Sequence, residues 1–311
     1  ELCSRQQSRP DESLISFEMG RRFCNMPAFN RRAFFVAIAL ATALPLSAKT
    51  PPTTTSPKLN QIGAADPADA QAALAQMRRL GISGSYFLAF DLRLRPRRGD
   101  ETVLSGQMWG TRNAEGPITR VALQGDAESR LLIQNGVRSG AWTWRPGRGV
   151  ESVPVERLFE PIASGTDLTA FDLQMPYLYW DDFSYQGITR FRGRPAHVIV
   201  LRPPAEFAKR YPALGGVRLH LDTQFNAAVQ TELLSPGGSV TKTITVTDLK
   251  KVDDQWIVKT IDVRNETTRD KTRLEITAAA LQLDLSPRAF EPSELSEPLR
   301  PPAAASLFNV Q

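Results

Sequence analysis

Residues 86–95 read Tyr-Phe-Leu-Ala-Phe-Asp-Leu-Arg-Leu-Arg, and this short stretch decides the fold class. Large apolar side chains occupy every second position, and from residue 91 onward an aspartate and two arginines occupy the alternate positions. Alternation with a period of two is typical of a β-strand that has one buried and one solvated face. The apolar face consists of Tyr86, Leu88, Phe90, Leu92 and Leu94.

The same alternation continues through most of the chain and predicts a protein that is mainly β. Short connections rich in glycine, asparagine and proline separate the strands, as at Asn135-Gly136 and Pro236-Gly237-Gly238. Such short turns join antiparallel neighbours, because parallel strands need long crossovers. The further predicted strands are 102–112, 117–125, 128–135, 138–145, 184–192, 195–202, 216–222, 227–235, 239–249, 255–264, 271–278 and 280–285.

Three segments depart from the strand pattern. Residues 67–80 have helical spacing after an N-cap at Asp66, and residues 151–183 predict two short helices around 155–162 and 168–173. Residues 296–311 are proline-rich and predict a disordered tail. The strands can bury their apolar face in a two-sheet sandwich or in one strongly curved sheet with helices over its mouth. The period alone fits both architectures.

The N-terminal region predicts export. Arg31 and Arg32 precede an apolar run over residues 33–44, and Ser47-Ala48 supplies small residues for cleavage near Ala48. We therefore expect residues 26–48 to be a signal peptide that directs the protein to the periplasm. We likewise expect residues 1–25 to be an upstream extension that is not native, and residues 49–66 to be a linker. The strongly apolar run favours the general secretory route, while the paired arginines also match a twin-arginine signal.

Composition argues against several classes of function. The formal net charge is +5 over 311 residues, far from the clustered basic charge of a nucleic-acid-binding protein. Both cysteines, Cys3 and Cys24, precede the predicted signal peptide, so the mature protein would have neither a disulfide nor a thiolate metal site. The sequence contains no Gly-x-Ser-x-Gly motif and no paired histidines at zinc-ligand spacing. We expect a monomer without catalysis, cofactor or metal.

A series of short motifs, in order, resembles a known family. They are Gly84-Ser85-Tyr86-Phe87, Gly106-Gln107-Met108-Trp109, Leu131 to Gly136, Trp142 to Pro146, Gly165 to Leu168, Arg194 to Val198, Val217 to Asp222, Thr241-Lys242-Thr243 through Trp256-Ile257-Val258, and Phe290-Glu291-Pro292. Together they resemble the outer-membrane lipoprotein-sorting proteins, the LolA-like periplasmic carriers, over residues 67–295. The resemblance implies a single strongly curved antiparallel sheet, an unclosed β-barrel, with short helices forming a lid over its concave face.

The family resemblance also implies a function and a site. A LolA-like carrier binds the acyl chains of lipoproteins in an apolar cavity and transfers them toward the outer membrane. Its partners would be acylated lipoproteins or lipids, an inner-membrane release complex and an outer-membrane acceptor. Alternatives are another lipid shuttle or an envelope-stress lipid sensor on this fold, and a structural β domain with a filled core. The candidate cavity residues are Leu88, Phe90, Met108, Val121, Leu123, Leu131, Ile133, Trp142, Trp144, Leu219 and Leu221.

Lid residues follow from the same resemblance. Leu158, Phe159 and Leu173 lie in the segment 151–183 and are the candidate lid side chains. Arg112 follows the strand tryptophan Trp109, where the family has a basic residue tied to lid closure and ligand retention. A solvated arginine at a hairpin end is the alternative interpretation of Arg112, and ordinary core packing is the alternative for each cavity residue.

Overall fold

One antiparallel sheet organises the part of the chain described by this computed structural model, residues 66–124 and 129–310. The predicted upstream extension and signal peptide lie outside these residues, as does the linker except for Asp66. The strands are β1 (Ser85–Arg95), β2 (Thr102–Arg112), β3 (Pro117–Leu123), β4 (Ser129–Gln134), β5 (Gly140–Arg145), β6 (Gly149–Ser152), β7 (Phe183–Phe191), β8 (Arg194–Leu201), β9 (Gly216–Asp222), β10 (Ala228–Leu234), β11 (Val240–Val252), β12 (Gln255–Asn265), β13 (Lys271–Leu283) and β14 (Phe308–Asn309).

The strand order is β6-β5-β4-β3-β2-β1-β13-β12-β11-β10-β9-β8-β7, and β14 adds to β13. Nearly every strand therefore pairs with its neighbours in sequence, as the short turns predict. The pairing of β1 with β13 joins the two halves of the chain, with Leu92 opposite Leu274. Because all pairs are antiparallel, the predicted mainly β fold is confirmed.

The sheet curves until its two ends meet a common core. Ile133 and Ala141, from β4 and β5, belong to the same buried cluster as Ile199 and Leu219, from β8 and β9. These strands stand near opposite ends of the strand order, so they share a core only because the sheet bends round on itself. The end strands β6 and β7 do not pair within the described residues, and the sheet is not closed into a barrel. We call the face inside the curve the inner face.

Within residues 66–124 and 129–310, three α-helices accompany the sheet: α1 (Pro67–Met77), α2 (Ala170–Gln174) and α3 (Ala205–Arg210). Asp66 caps α1 by accepting a hydrogen bond from the Ala68 amide, at the position that the sequence predicts. α1 ends at Met77 rather than at residue 80, and α3 was not expected from the sequence. Residues 153–182, between β6 and β7, form the lid. It contains α2 and two 3₁₀ turns, Val155–Arg157 and Pro176–Tyr179.

The prediction of a disordered tail is wrong for residues 296–310. Residues 284–310, the strap, run over the outer face of the sheet and end in β14. Leu295 and Val310 are both fully buried, and the Val310 amide donates to the Thr277 carbonyl at 3.0 Å. Proline lacks an amide hydrogen and suits an extended segment that is held by side chains rather than by strand pairing. The five prolines of residues 286–311 therefore do not prevent order.

Strand predictions agree closely with the structure elsewhere. The bounds of β2 and β9 match the predicted ranges 102–112 and 216–222. The predicted strands 271–278 and 280–285 are one continuous strand, β13, which pairs with β1 along most of its length. β6 and β14 are short strands that the alternation pattern did not reveal.

Candidate functional site

The inner face is a largely apolar wall. All the predicted cavity residues except the two tryptophans belong to the two buried clusters of this face or pack against them. Leu219 and Leu221 of β9 are completely buried, as is Leu92 of β1. The predicted cavity residues that lie on this face are Leu88, Phe90, Met108, Val121, Leu123, Leu131, Ile133, Leu219 and Leu221, and their part in ligand binding stays a prediction.

The placement of Trp142 and Trp144 in the cavity is wrong. Both side chains project to the outer face and pack under the strap with Phe290 and Leu295. Their neighbours Ala141 and Thr143 face inward instead, since successive residues of a strand point to opposite sides. The alternation showed that the two indoles share a face, but it did not show which face.

The lid fills the space over the inner face with aromatic side chains. Phe171 of α2 is fully buried and stacks against Phe159, with ring centroids 4.4 Å apart. Phe159 in turn stacks on Tyr211, which follows α3, at 3.7 Å. Leu158 is buried in this cluster, and Phe159 and Leu173 pack against it, so the three predicted lid residues all lie on the inner side. The closed lid thus supplies the apolar contacts that the wall requires.

A cavity remains at the open seam of the sheet, where the described end strands β6 and β7 do not pair. Its volume is about 320 Å³, and it lies between the β4–β5 turn, the lid and α3. Pockets for small ligands are usually about 300–1,000 Å³, so this space is at the lower end of that range. Its lining includes Val137, Ala141, Leu158, Trp180 and Phe207. A second cavity of about 40 Å³ lies beside Leu131 and Ile162 under the other end of the lid.

One ion pair fastens the lid to the wall. The ammonium of Lys242, on β11, donates to Asp172 Oδ2 of α2 and to the Asp167 carbonyl, both at 2.8 Å. Asp172 is also the N3 residue of a capping box in which its carboxylate accepts from the backbone amide of Thr169. Sequence reasoning placed Lys242 in one of the motifs of the family resemblance but assigned no role to it or to Asp172, because a lysine in a strand carries no signal of the side chain that it meets.

Asp167 adds a further polar contact at the same end of the lid. Its amide donates to the Thr272 hydroxyl at 2.8 Å, and its carboxylate accepts from the Asn265 side chain at 3.2 Å. Burial raises the pKa of Asp167, while the hydrogen bond from Asn265 and the charge of Lys242 oppose that rise. The lid is therefore anchored by polar groups at the β11–β13 side and by aromatic packing at the seam.

Arg112 lies at the C-terminal end of α1. Its guanidinium faces the carbonyls of Arg78, Arg79 and Leu80 at 3.2–3.5 Å. A cation at this end of a helix meets carbonyls that have no partner within the helix. The lid connects to the same helix, because Arg78 Nε donates to the Leu178 carbonyl at 2.6 Å. Arg112 therefore contacts α1 rather than the lid itself.

Tyr185 and His197 place a polar pair on the inner face beside α1. The Tyr185 hydroxyl and His197 Nδ1 are 2.7 Å apart. Desolvation lowers the pKa of His197, although the nearby Asp69 of α1 acts in the opposite direction. Burial therefore favours the uncharged form of His197, which can share a hydrogen bond with the Tyr185 hydroxyl.

Buried arginines hold the strap on the outer face. Arg120 is 1% exposed and donates to the carbonyls of Ala289, Glu294, Leu295 and Glu297. Desolvation, together with the charge of Arg130, lowers the pKa of Arg120 to about 10. Arg130 donates to the Leu295 and Ser296 carbonyls and lies 4.1 Å from the Trp144 ring centroid. Neither arginine had been recognised as structural from the sequence.

The described residues show no group of three or more His, Cys, Asp or Glu side chains placed to hold a metal ion. In the same part of the chain, none of the helices has the length and apolarity needed to span a membrane.

Similar solved structures identify the fold. A domain described as an outer membrane lipoprotein-sorting protein, from Vibrio parahaemolyticus, aligns with 73% of this chain and 97% of its own, at a TM-score of 0.63 and 17% identity. A LolA superfamily protein from Nitrosomonas europaea aligns over 71% and 97%, at a TM-score of 0.56 and 14% identity. The chain has a LolA-like fold.

The resemblance inferred from sequence motifs is thus confirmed at the level of the fold. A DUF1329 family protein from Desulfovibrio piger aligns with 74% of this chain and 98% of its own, with a TM-score of 0.63 and 14% identity. A protein-family model described as "-like: Uncharacterized protein" matches residues 162–297, which include most of the lid and β7–β13. No curated protein sequence gives a significant match.

Proposed function

We propose that this protein is a carrier that binds the acyl chains of lipids or lipoproteins between the inner face and the lid. The observation that carries the proposal is an apolar wall covered by a separate segment, with a cavity of about 320 Å³ left at the open seam. Each methylene removed from water contributes about 0.8 kcal/mol, so an acyl chain can bind firmly without any covalent step.

The lid makes such binding reversible. In the closed arrangement, Phe171, Leu158 and Trp180 already occupy the wall, so a ligand must replace contacts that the protein makes with itself. The affinity is then the difference between the ligand's contacts and those of the lid. A carrier with this property can release its cargo when an acceptor offers a more favourable site.

The predicted signal peptide, residues 26–48, supports a periplasmic location for this activity. If the cargo is lipoprotein, transfer toward the outer membrane requires an inner-membrane complex that loads the carrier and an outer-membrane acceptor. A lipid shuttle or a lipid sensor would use the same wall and lid with different partners. The nature of the cargo decides among these roles.

Native mass spectrometry of the full chain, exported to a bacterial periplasm and purified without detergent, tests the proposal. We expect a bound amphiphile, and we expect Val137→Trp to reduce its occupancy, because Val137 lines the cavity and is 84% exposed at its mouth. Val103→Trp is the matched control, since Val103 is an exposed residue of β2 that does not line either cavity. A protein that carries no amphiphile, and takes up no added diacylated lipid, contradicts the proposal.

A further inference from the structure

Lys242 is a charged side chain on the apolar inner wall, and its counter-ion belongs to the lid. The ammonium lies 2.8 Å from Asp172 Oδ2, and the Lys242 side chain is only 13% exposed. The Asp172 side chain is 1% exposed, and its second oxygen, Oδ1, is buried and accepts no hydrogen bond from the described residues. The closed lid therefore buries one cation together with a carboxylate that is only partly satisfied.

Opening of the lid separates this pair. Asp172 is part of α2, whereas Lys242 is part of β11, in the middle of the strand order. Asp167, which supplies the second acceptor for Lys242, also belongs to the lid. When the lid lifts, Lys242 loses both partners but remains on the wall. A charge left among apolar groups is costly unless a group of opposite charge or water replaces the lost partner.

Lys242 stands where a bound amphiphile would pass. Its neighbour on the inner face, Ile244, packs against both buried clusters of the wall, so this part of β11 lies between them. Gln174, at the end of the same short helix as Asp172, lines the cavity at the seam. A ligand that enters through the seam and displaces α2 therefore replaces the lid at the position of Asp172.

We propose that Lys242 binds the anionic group, a phosphate or a carboxylate, of an amphiphilic ligand whose acyl chains lie on the inner face. In the closed protein, the Asp172 carboxylate occupies the place that this anionic group takes in the loaded protein. This inference rests on the proposed carrier function and makes it more specific, because it selects anionic amphiphiles over neutral ones of equal chain length.

Calorimetric titration of the full chain with three ligands that share one acyl chain tests the inference. The ligands are palmitate, 1-palmitoyl-lysophosphatidate and the neutral 1-palmitoylglycerol. Hydrogen bonds to charged groups contribute about 1.5–3 kcal/mol, so we expect Lys242→Met to weaken binding of an anionic ligand roughly 10- to 100-fold. Binding of 1-palmitoylglycerol should change little. Comparison of palmitate with lysophosphatidate shows whether the site takes a carboxylate or a phosphate.

Two further variants separate ligand binding from simple fastening of the lid. Lys251→Met is the matched control, because Lys251 is on the same strand, but its side chain is 53% exposed and pairs with Asp254. Asp172→Asn removes the competing carboxylate and should increase the affinity for palmitate more than that for 1-palmitoylglycerol. If Lys242 only fastens the lid, Lys242→Met and Asp172→Asn will alter the affinities for charged and neutral ligands by the same factor.

The outcomes also distinguish this inference from the proposed function. Equal changes for all three ligands overturn the role of Lys242 and leave the carrier function intact. Failure of all three ligands to bind the unmodified protein overturns both. An affinity for the anionic ligands that is unchanged in Lys242→Met, in a variant whose circular dichroism matches that of the parent, also overturns the inference.

Discussion

The same sheet carries two covers, the lid on its inner face and the strap on its outer face, and they are fastened in different ways. The strap is held by the buried guanidiniums of Arg120 and Arg130, which donate hydrogen bonds to its backbone carbonyls. Arg120 alone donates to four of these carbonyls. The lid is held by aromatic packing, by exposed ion pairs such as that of Arg210 with Glu156, and by the buried ion pair of Lys242 with Asp172. Few other groups could replace the strap carbonyls as acceptors for the buried arginines. In our proposal, by contrast, another anion can replace the Asp172 carboxylate as the partner of Lys242.

This difference separates a structural cover from a replaceable one. Removal of the strap would take from Arg120 the four carbonyls to which it donates, beside the apolar cluster of Phe87, Trp109 and Leu132. Removal of the lid would expose an apolar wall, which in the proposed function acyl chains cover. The outer face therefore resembles an ordinary protein core, and the inner face resembles a binding site that the protein occupies with its own side chains.

Loss of Arg120, the arginine of β3 that holds the strap, should have the largest effect on stability. Arg120→Met leaves several buried carbonyls without a donor, and we expect the free energy of unfolding to fall by about 3–5 kcal/mol. Urea denaturation followed by circular dichroism measures the change. Arg138→Met is the control, because the Arg138 side chain is 82% exposed and its pair with Glu115 should contribute less than about 1 kcal/mol. A similar small change for both variants would show that the strap is not an integral part of the fold.

A pair of buried phenylalanines, one under each cover, should sharpen the comparison. Phe87 lies under the strap, Phe171 belongs to the lid, and each is at most 1% exposed. Phe-to-Ala changes in cores cost about 3–5 kcal/mol, and we expect Phe87→Ala to lower the global free energy of unfolding by about 3 kcal/mol. Phe171→Ala should instead lower the free energy of lid opening, with a smaller change in global unfolding.

Hydrogen exchange read out by mass spectrometry distinguishes these two responses. In Phe171→Ala, amides of α2 should exchange roughly a hundredfold faster, while those of β1 and β13 keep their protection. In Phe87→Ala, protection should fall across the sheet. Equal loss of protection in α2 and in the sheet in both variants would mean that the lid unfolds only together with the sheet, and the distinction between the covers would be lost.

Arg112 should have the smallest effect of the three. Its contacts with the α1 carbonyls are long, 3.2–3.5 Å, and the cation lies at the surface. Arg112→Gln should therefore cost about 0.5–1 kcal/mol and act mainly on the last turn of α1. Exchange at residues 76–80 reports this local change, and Arg112→Lys, which keeps the charge, should restore part of it. An Arg112→Gln variant that loses bound lipid with α1 unchanged would show instead that Arg112 acts on ligand retention.

Much of the fold follows from local pattern. The alternation in residues 86–95 predicts β1, and the turn residues predict most of its antiparallel partners to within a few positions. The exceptions have physical reasons. The segment that contains α3 lacks the apolar periodicity of a longer helix, since α3 has six residues and none of them is buried. The residues of the strap show no regular hydrophobic period. Contacts with Arg120 and Arg130, which are distant in sequence, hold it in place, and a local pattern does not reveal such contacts.

The candidate site was predictable only in part. The inner-face residues of β1–β4 and β9 follow from alternation together with the family resemblance, but Trp142 and Trp144 show the limit of that reasoning. Both faces of β5 carry apolar residues, because the lid covers one and the strap covers the other. Alternation identifies the wetter face of a strand only when one face is solvated. The importance of Lys242 depends on a carboxylate that lies 70 residues away in the chain.

By itself, the sequence determined the strands, the antiparallel connections and the existence of a helical segment between the two halves of the sheet, because these depend on period and on turn residues close in sequence. Only the tertiary structure decided how the sheet curves, which face each apolar set occupies, and how each cover is fastened. Those features arise from contacts between residues far apart in the chain, such as Lys242 with Asp172 and Arg120 with Glu294. No local pattern specifies such contacts, since their free energy depends on burial that exists only after the sheet has curved.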